Sequence, residues 1–180
     1  MNILTEFALR CIHQTADHIG ASLLLMIPLT FALYILNRKH KKSFLLCLLT
    51  AWSIAHIFAM TLLGREPGSV GKRFELELFW SYKEALHGNT EMGMEIAANM
   101  LLFIPAAICL PVLFPFFRSI WHMLALTCLT TSCIELIQGI SGMGLFEFDD
   151  ILNNTAGAVL GWAVYRGIFR LVNKRRAKRK

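Results

Sequence analysis

Five stretches of this sequence run for about twenty residues with very little charge, and they decide what the chain can fold into. They are Ile19 to Leu36, Phe44 to Leu63, Ile96 to Phe114, Ile120 to Gln138 and Asp150 to Leu171. A helix of ~20 apolar residues matches the hydrocarbon thickness of a bilayer. In hydrocarbon the backbone must satisfy its own hydrogen bonds, which a helix does within one segment. The chain is 56% apolar and only 17% charged, so the runs are not balanced by a polar domain elsewhere. The sequence predicts an all-α integral membrane bundle of five transmembrane helices.

Between and around these runs the chain divides simply. Residues 1–18 carry Ile3, Leu4, Phe7, Ala8, Cys11 and Ile12 at helical spacing, which suits an amphipathic interfacial segment or a helix continuing into the first span. Residues 19–171 form the membrane domain, and 172–180 a basic tail. The one sizeable loop, 64–95, contains F-E-L-E-L-F-W-S-Y-K. Its alternation suits a short strand, while Leu76, Phe79, Trp80, Lys83 and Leu86 suit an interfacial helix equally well. Gly139, Gly142 and Gly144 break the fourth run and allow a close turn into the fifth. The start of the chain does not read as a cleavable signal, because its first long apolar run has few positive charges before it and many after it.

The formal charge of +6 does not point to nucleic acid. The cations gather beside apolar runs, at Arg38-Lys39-His40-Lys41-Lys42 and from Lys174 to Lys180, where the positive-inside rule places cytoplasmic anchors. With five spans, the 37–43 loop, the Pro115–Arg118 turn and the tail then share the inner side. The expectation is N-terminus out and C-terminus in. The five cysteines form no C-x-x-C and read as packing residues.

That topology gathers the polar motif residues at the outer face. Glu135 lies three residues before Gln138, about 5 Å below the outer end of its span. Asp150 and Asn154 are spaced i,i+4 and share a helix face, as do Glu95 and Asn99. Arg65 follows the outer end of the second span, and Asp149 can cap the fifth helix or join a site. Intramembrane carboxylates are unusual enough to suggest function. The competing reading is a polar network that only holds helices in register, each contact being worth ~0.6–2 kcal/mol. Gly157-x-x-x-Gly161 is a close-packing surface and a candidate homodimer contact.

The pattern Asn99-x-x-x-Phe103-x-Pro105, then Ser132-x-x-Glu135-x-x-Gln138, then Asp149-Asp150-x-x-x-Asn154-x-x-Gly157-x-x-x-Gly161 resembles the VanZ-like family over roughly residues 45–165. The resemblance implies a bacterial multi-pass membrane protein of a family associated with resistance to teicoplanin, a lipid-bearing glycopeptide. Many members carry an arginine near the position of Gly144, and Arg65 is the candidate substitute here.

The candidate ligand-binding set is therefore Arg65, Asn99, Glu135, Gln138, Asp149, Asp150 and Asn154. The expected partners are the lipid bilayer and a lipid headgroup, cell-wall lipid precursor or lipoglycopeptide. The residues favour a binding or remodelling role. The alternative is a membrane enzyme acting on a lipid-linked substrate through Glu135 and Asp150. No cofactor or metal is implied, since there is no H-E-x-x-H, P-loop, dinucleotide fingerprint or G-x-S-x-G.

Overall fold

The structure, a computed structural model, describes residues 3–40, 42–63, 68 and 74–178. Six α-helices carry the fold: α1 (Ile3–Asn37), α2 (Phe44–Thr61), α3 (Trp80–Leu86), α4 (Thr90–Leu113), α5 (Ile120–Ser141) and α6 (Phe148–Ala177). Two two-residue strands, β1 (Phe74–Glu75) and β2 (Phe146–Glu147), pair in parallel, Phe74 opposite Phe146 and Glu75 opposite Glu147. Within the described part of the 64–95 stretch, the strand β1 is shorter than the alternation to Leu78 suggests, α3 supplies a short helix, and residues from Thr90 already belong to α4.

Among the described residues four helical segments are long and apolar enough to cross a membrane: Thr15–His40, Phe44–Thr61, Thr90–Leu113 and Ile120–Ser141. α6 is long enough at 30 residues but mixes its apolar middle with Asp149, Asp150, Asn153 and Asn154 at one end and a basic run at the other. Large apolar side chains stand open on the outside of the bundle, among them Leu24, Leu36, Trp121, Leu129 and Ile140. Such a surface is expected where the surroundings are lipid and not water. The protein is an all-α membrane bundle.

α1 is one helix that does not break at residue 18, with Pro28 inside it. Hydroxyls buried in the spans are satisfied locally: Thr30, Thr50, Ser53 and Thr61 each donate to the carbonyl four residues earlier. His56 of α2 stacks on Trp52 and shares a 3.2 Å hydrogen bond with Ser22 of α1. α5 ends at Gly142, whose φ of +68° supplies the left-handed turn that closes the helix.

The central packing is α4 on α6, running parallel, with α2 and α5 on either side and α1 outside α2. Gly157 and Gly161 make it possible. A Cβ on Gly157 would stand 2.0 Å from the carbonyl oxygen of Met100, and one on Gly161 2.5 Å from that of Ile104. Glycine is required there because backbone meets backbone. Met100 pairs with residue 157 and Ile104 with residue 161, which sets the register of the two helices. The surface offered for a second copy is occupied by α4 of the same chain. Around this contact lies the main core, with Phe103, Ala106 and Ala107 of α4, Met123 and Ile134 of α5, and Ala158 of α6.

The bundle has two chemically different ends. At one, Lys42 Nζ donates to the carbonyl of Val112 at 2.8 Å, and Arg118 donates to that of Pro111 at 3.4 Å while lying over the Phe169 ring. Both carbonyls belong to the last turn of α4, where unpaired acceptors and the negative end of the helix dipole favour cations. At the other end stand Glu95, Glu147, Asp149 and Asp150.

Candidate functional site

The run Asp149-Asp150-Ile151-Leu152-Asn153-Asn154 opens α6 with two overlapping i,i+4 pairs. Successive helical residues are turned by about 100°, so the pairs face different neighbours. Asp149 and Asn153 face α3. The fully buried Asp149 carboxylate accepts the Phe79 backbone N–H at 2.6 Å, the Ser81 N–H at 3.0 Å and the Ser81 hydroxyl at 2.7 Å. Asn153 Oδ1 accepts from the Tyr82 hydroxyl. Asp149 therefore caps α3 and not its own helix. It also fixes Phe79 at φ +64°, a left-handed conformation that a bulky residue adopts only when its surroundings hold it there.

Asp150 and Asn154 face the bundle. Asn99 of α4 donates to Asp150 Oδ1 at 2.7 Å, and Asn154 donates to the Thr131 hydroxyl of α5 at 2.8 Å. Gln138 reaches from α5 to the Thr61 carbonyl at the end of α2, 2.8 Å away. Glu135, only 2% exposed, accepts the Glu147 backbone N–H at 3.0 Å and so ties the α5–α6 connection to α5. These bonds hold α2, α4, α5 and α6 at one level.

At that level a cavity of about 350 Å³ opens, lined by polar groups of Glu95, Asn99, Gln138, Glu147 and Asp150, with Met143, Gly144 and Leu145 along one wall. Of the sequence candidates, Asn99, Gln138 and Asp150 line it. Glu135, Asp149 and Asn154 do not; they sit behind it and position its walls. Arg65 lies outside the described residues. Gly144, where the family resemblance leads one to expect an arginine, faces the cavity without a side chain.

Glu147 is the residue that sequence reasoning missed. It falls between two phenylalanines, outside every i,i+4 pattern, and its place is set by the β1–β2 pairing and the hydrogen bond from its N–H to Glu135. Burial, with Asp150 and Glu95 nearby, pushes its carboxyl up to about 8. The Trp80 indole nearby opposes that shift in part. Glu147 is thus shifted toward its protonated, hydrogen-donating form, beside Asp150, which accepts from Asn99. Glu95 is exposed and forms a 4.0 Å ion pair with Arg10 of α1, a contact too open to contribute much stability. The cavity can accept several hydrogen bonds and donate from Glu147 and its amides. Among the described residues no group of three or more His, Cys, Asp or Glu could hold a metal ion.

The sequence model of the VanZ/LLP1 family matches residues 56–171, from the second half of α2 through the apolar part of α6. No curated protein and no solved structure matches the chain.

Proposed function

The chain belongs to the VanZ-like family, and from that premise we propose that it is a five-span protein of the bacterial cytoplasmic membrane whose polar cavity opens outward. The cavity engages the polar head of a membrane lipid or cell-wall precursor, and in doing so lowers susceptibility to teicoplanin-type lipoglycopeptides. One observation carries the reading: Glu95, Asn99, Gln138, Glu147 and Asp150 converge on a single cavity at the end of the bundle opposite Lys42 and Arg118. Cations belong on the cytoplasmic side, so the cavity belongs on the other. Its carboxylates and amides suit a head rich in hydroxyls or amines, whose donors they accept.

The test is susceptibility of a deletion strain complemented with wild type, Glu147→Ala or Asp150→Asn, with membrane insertion checked by immunoblot. The expected result is loss of the protective effect against lipoglycopeptides, with little change against non-lipidated glycopeptides. Full protection by both variants would refute the proposal.

One observation favours a second reading, a membrane enzyme. A carboxyl raised to about 8 beside Asp150, whose Oδ1 accepts from Asn99, is a pair in which one group can serve as acid and its neighbour as base. In that reading Glu147 replaces Glu135 as the partner of Asp150, because Glu135 does not line the cavity. Mass spectrometry of a lipid-precursor panel incubated with purified protein separates the two readings.

A further inference from the structure

A second cavity, of about 320 Å³, lies in the same bundle and is almost wholly apolar. Its back wall is thin because Ala106 and Ala107 of α4 and Ala158 of α6 put little volume there; its sides are Ile57 and Phe58 of α2 and Leu126 of α5. α2 and α5 do not pack against each other over their length. The Gln138–Thr61 hydrogen bond at the polar end spans between them, and below it the cavity has Ile54, Ile57 and Phe58 on its α2 side and Leu126, Thr127 and Thr130 on its α5 side.

Both cavities are built from the same four helices. Along α4 the polar cavity reaches Leu102 and the apolar one takes over at Phe103, extending to Leu110, about 16 Å below Asn99. It therefore occupies hydrocarbon depth directly beneath the polar cavity. An apolar space of this size cannot stay empty without its lining atoms losing contact partners, and at this depth what can fill it is hydrocarbon. Polar cavity above and hydrocarbon slot below, side by side on one set of helices, match the two halves of one amphiphile.

We propose that the slot between α2 and α5 receives one hydrocarbon chain of the same membrane lipid whose head occupies the polar cavity. The lipid enters sideways between α2 and α5, its head held at Asn99, Glu147 and Asp150 and its chain lying against the alanine wall. This rests on the head-binding reading above and adds to it a measurable contribution from the chain.

The test uses the full chain in bilayer nanodiscs of phosphatidylglycerol. Each preparation contains one lipid with a diazirine at the end of an acyl chain: phosphatidylethanolamine, diglucosyl diacylglycerol or phosphatidylglycerol itself. Labelled residues are mapped by mass spectrometry. The expected result is labelling of the slot residues Leu110, Met123 and Leu126 by the lipids with amine or sugar heads. That labelling falls in Glu147→Ala and in Ala158→Phe, which fills the slot. Thr130→Leu, at a half-buried lining position, guards against misfolding of Ala158→Phe. A dihexanoyl form of the labelled lipid competes about tenfold more weakly than its full-length form.

If the dihexanoyl form competes as well as the full-length one and label falls only on lipid-facing residues such as Leu49 and Leu129, the chain inference is overturned while head binding stands. If all three lipids label the slot equally and Glu147→Ala changes nothing, the slot holds only bulk lipid. The inference is then overturned, and the head-binding reading fails with it.

Discussion

Replacing Gly157 by alanine should separate the two helices that carry the site, and the geometry gives the size of the effect. The added Cβ would lie 2.0 Å from the Met100 carbonyl oxygen, against an ordinary contact of at least 3.4 Å, so α6 and α4 must part by about 1.4 Å. A backbone carbonyl cannot swing aside as a side chain can, which places the change near the upper end of the ~1–3 kcal/mol expected for overpacking. Alanine regains about 1 kcal/mol of helix propensity over glycine, leaving a net loss of about 2 kcal/mol. For a chain of this length that is about 4–8 °C in Tm. Gly161→Ala has a smaller shortfall, about 0.9 Å from 2.5 Å, and should lose less. Gly167, on the same helix, has nothing within 4 Å of its would-be Cβ, so Gly167→Ala should keep the propensity gain. The assay is thermal unfolding in detergent, read by thiol-reactive dye. The expected order of Tm is Gly167→Ala above wild type, then Gly161→Ala, then Gly157→Ala. A Gly157→Ala protein as stable as Gly167→Ala would refute the close α4–α6 contact and the site register built on it.

Asp149→Asn leaves one acceptor facing three donors, with a loss of about 1.5–3 kcal/mol for the charged hydrogen bonds; faster amide exchange across residues 78–88, with α4 and α5 unchanged, is the expected signature. Glu147 binds its proton more tightly folded than unfolded, so stability is greatest below its ordinary pKa, falls as pH rises from about 4.5 to about 8, and is level above that. Because the carboxyl is partly solvated the drop should be no more than about 2 kcal/mol, and Glu147→Gln should flatten this part of the Tm–pH curve; an equally steep curve in the variant would assign the slope to another group. If α6 crosses the membrane, reporter fusions after Ala177 and within the α1–α2 connection should both report cytoplasm, and one after Gly88 the opposite side.

How much of this was legible in the sequence depends on how local each feature is. Span positions, the placement of cations at one end and the i,i+4 pairing of Asp150 with Asn154 depend on neighbours a few residues away, so hydropathy length and helical period reveal them. The family motifs were visible for the same reason. Glycine at 157 and 161 announced a close contact, but only the fold shows it to be α4 of the same chain.

The Asp149-to-Asn154 run that opens α6 shows where the sequence stops. One residue of offset decides whether a side chain holds α3, as Asp149 and Asn153 do, or faces the bundle, as Asp150 and Asn154 do. That choice depends on the rotation of α6, which its glycine contact with the α4 backbone sets. Asp149 meets Phe79 and Ser81 across about 70 residues of chain, and Glu147 is placed at the cavity by the pairing of β2 with the distant β1 and by Glu135. Sequence alone determined that this is an all-α membrane bundle with a cluster of polar residues near one end. Tertiary structure decided which of them line a cavity and which brace its walls, because helix rotation is fixed by packing between distant segments and not by the residues that rotate.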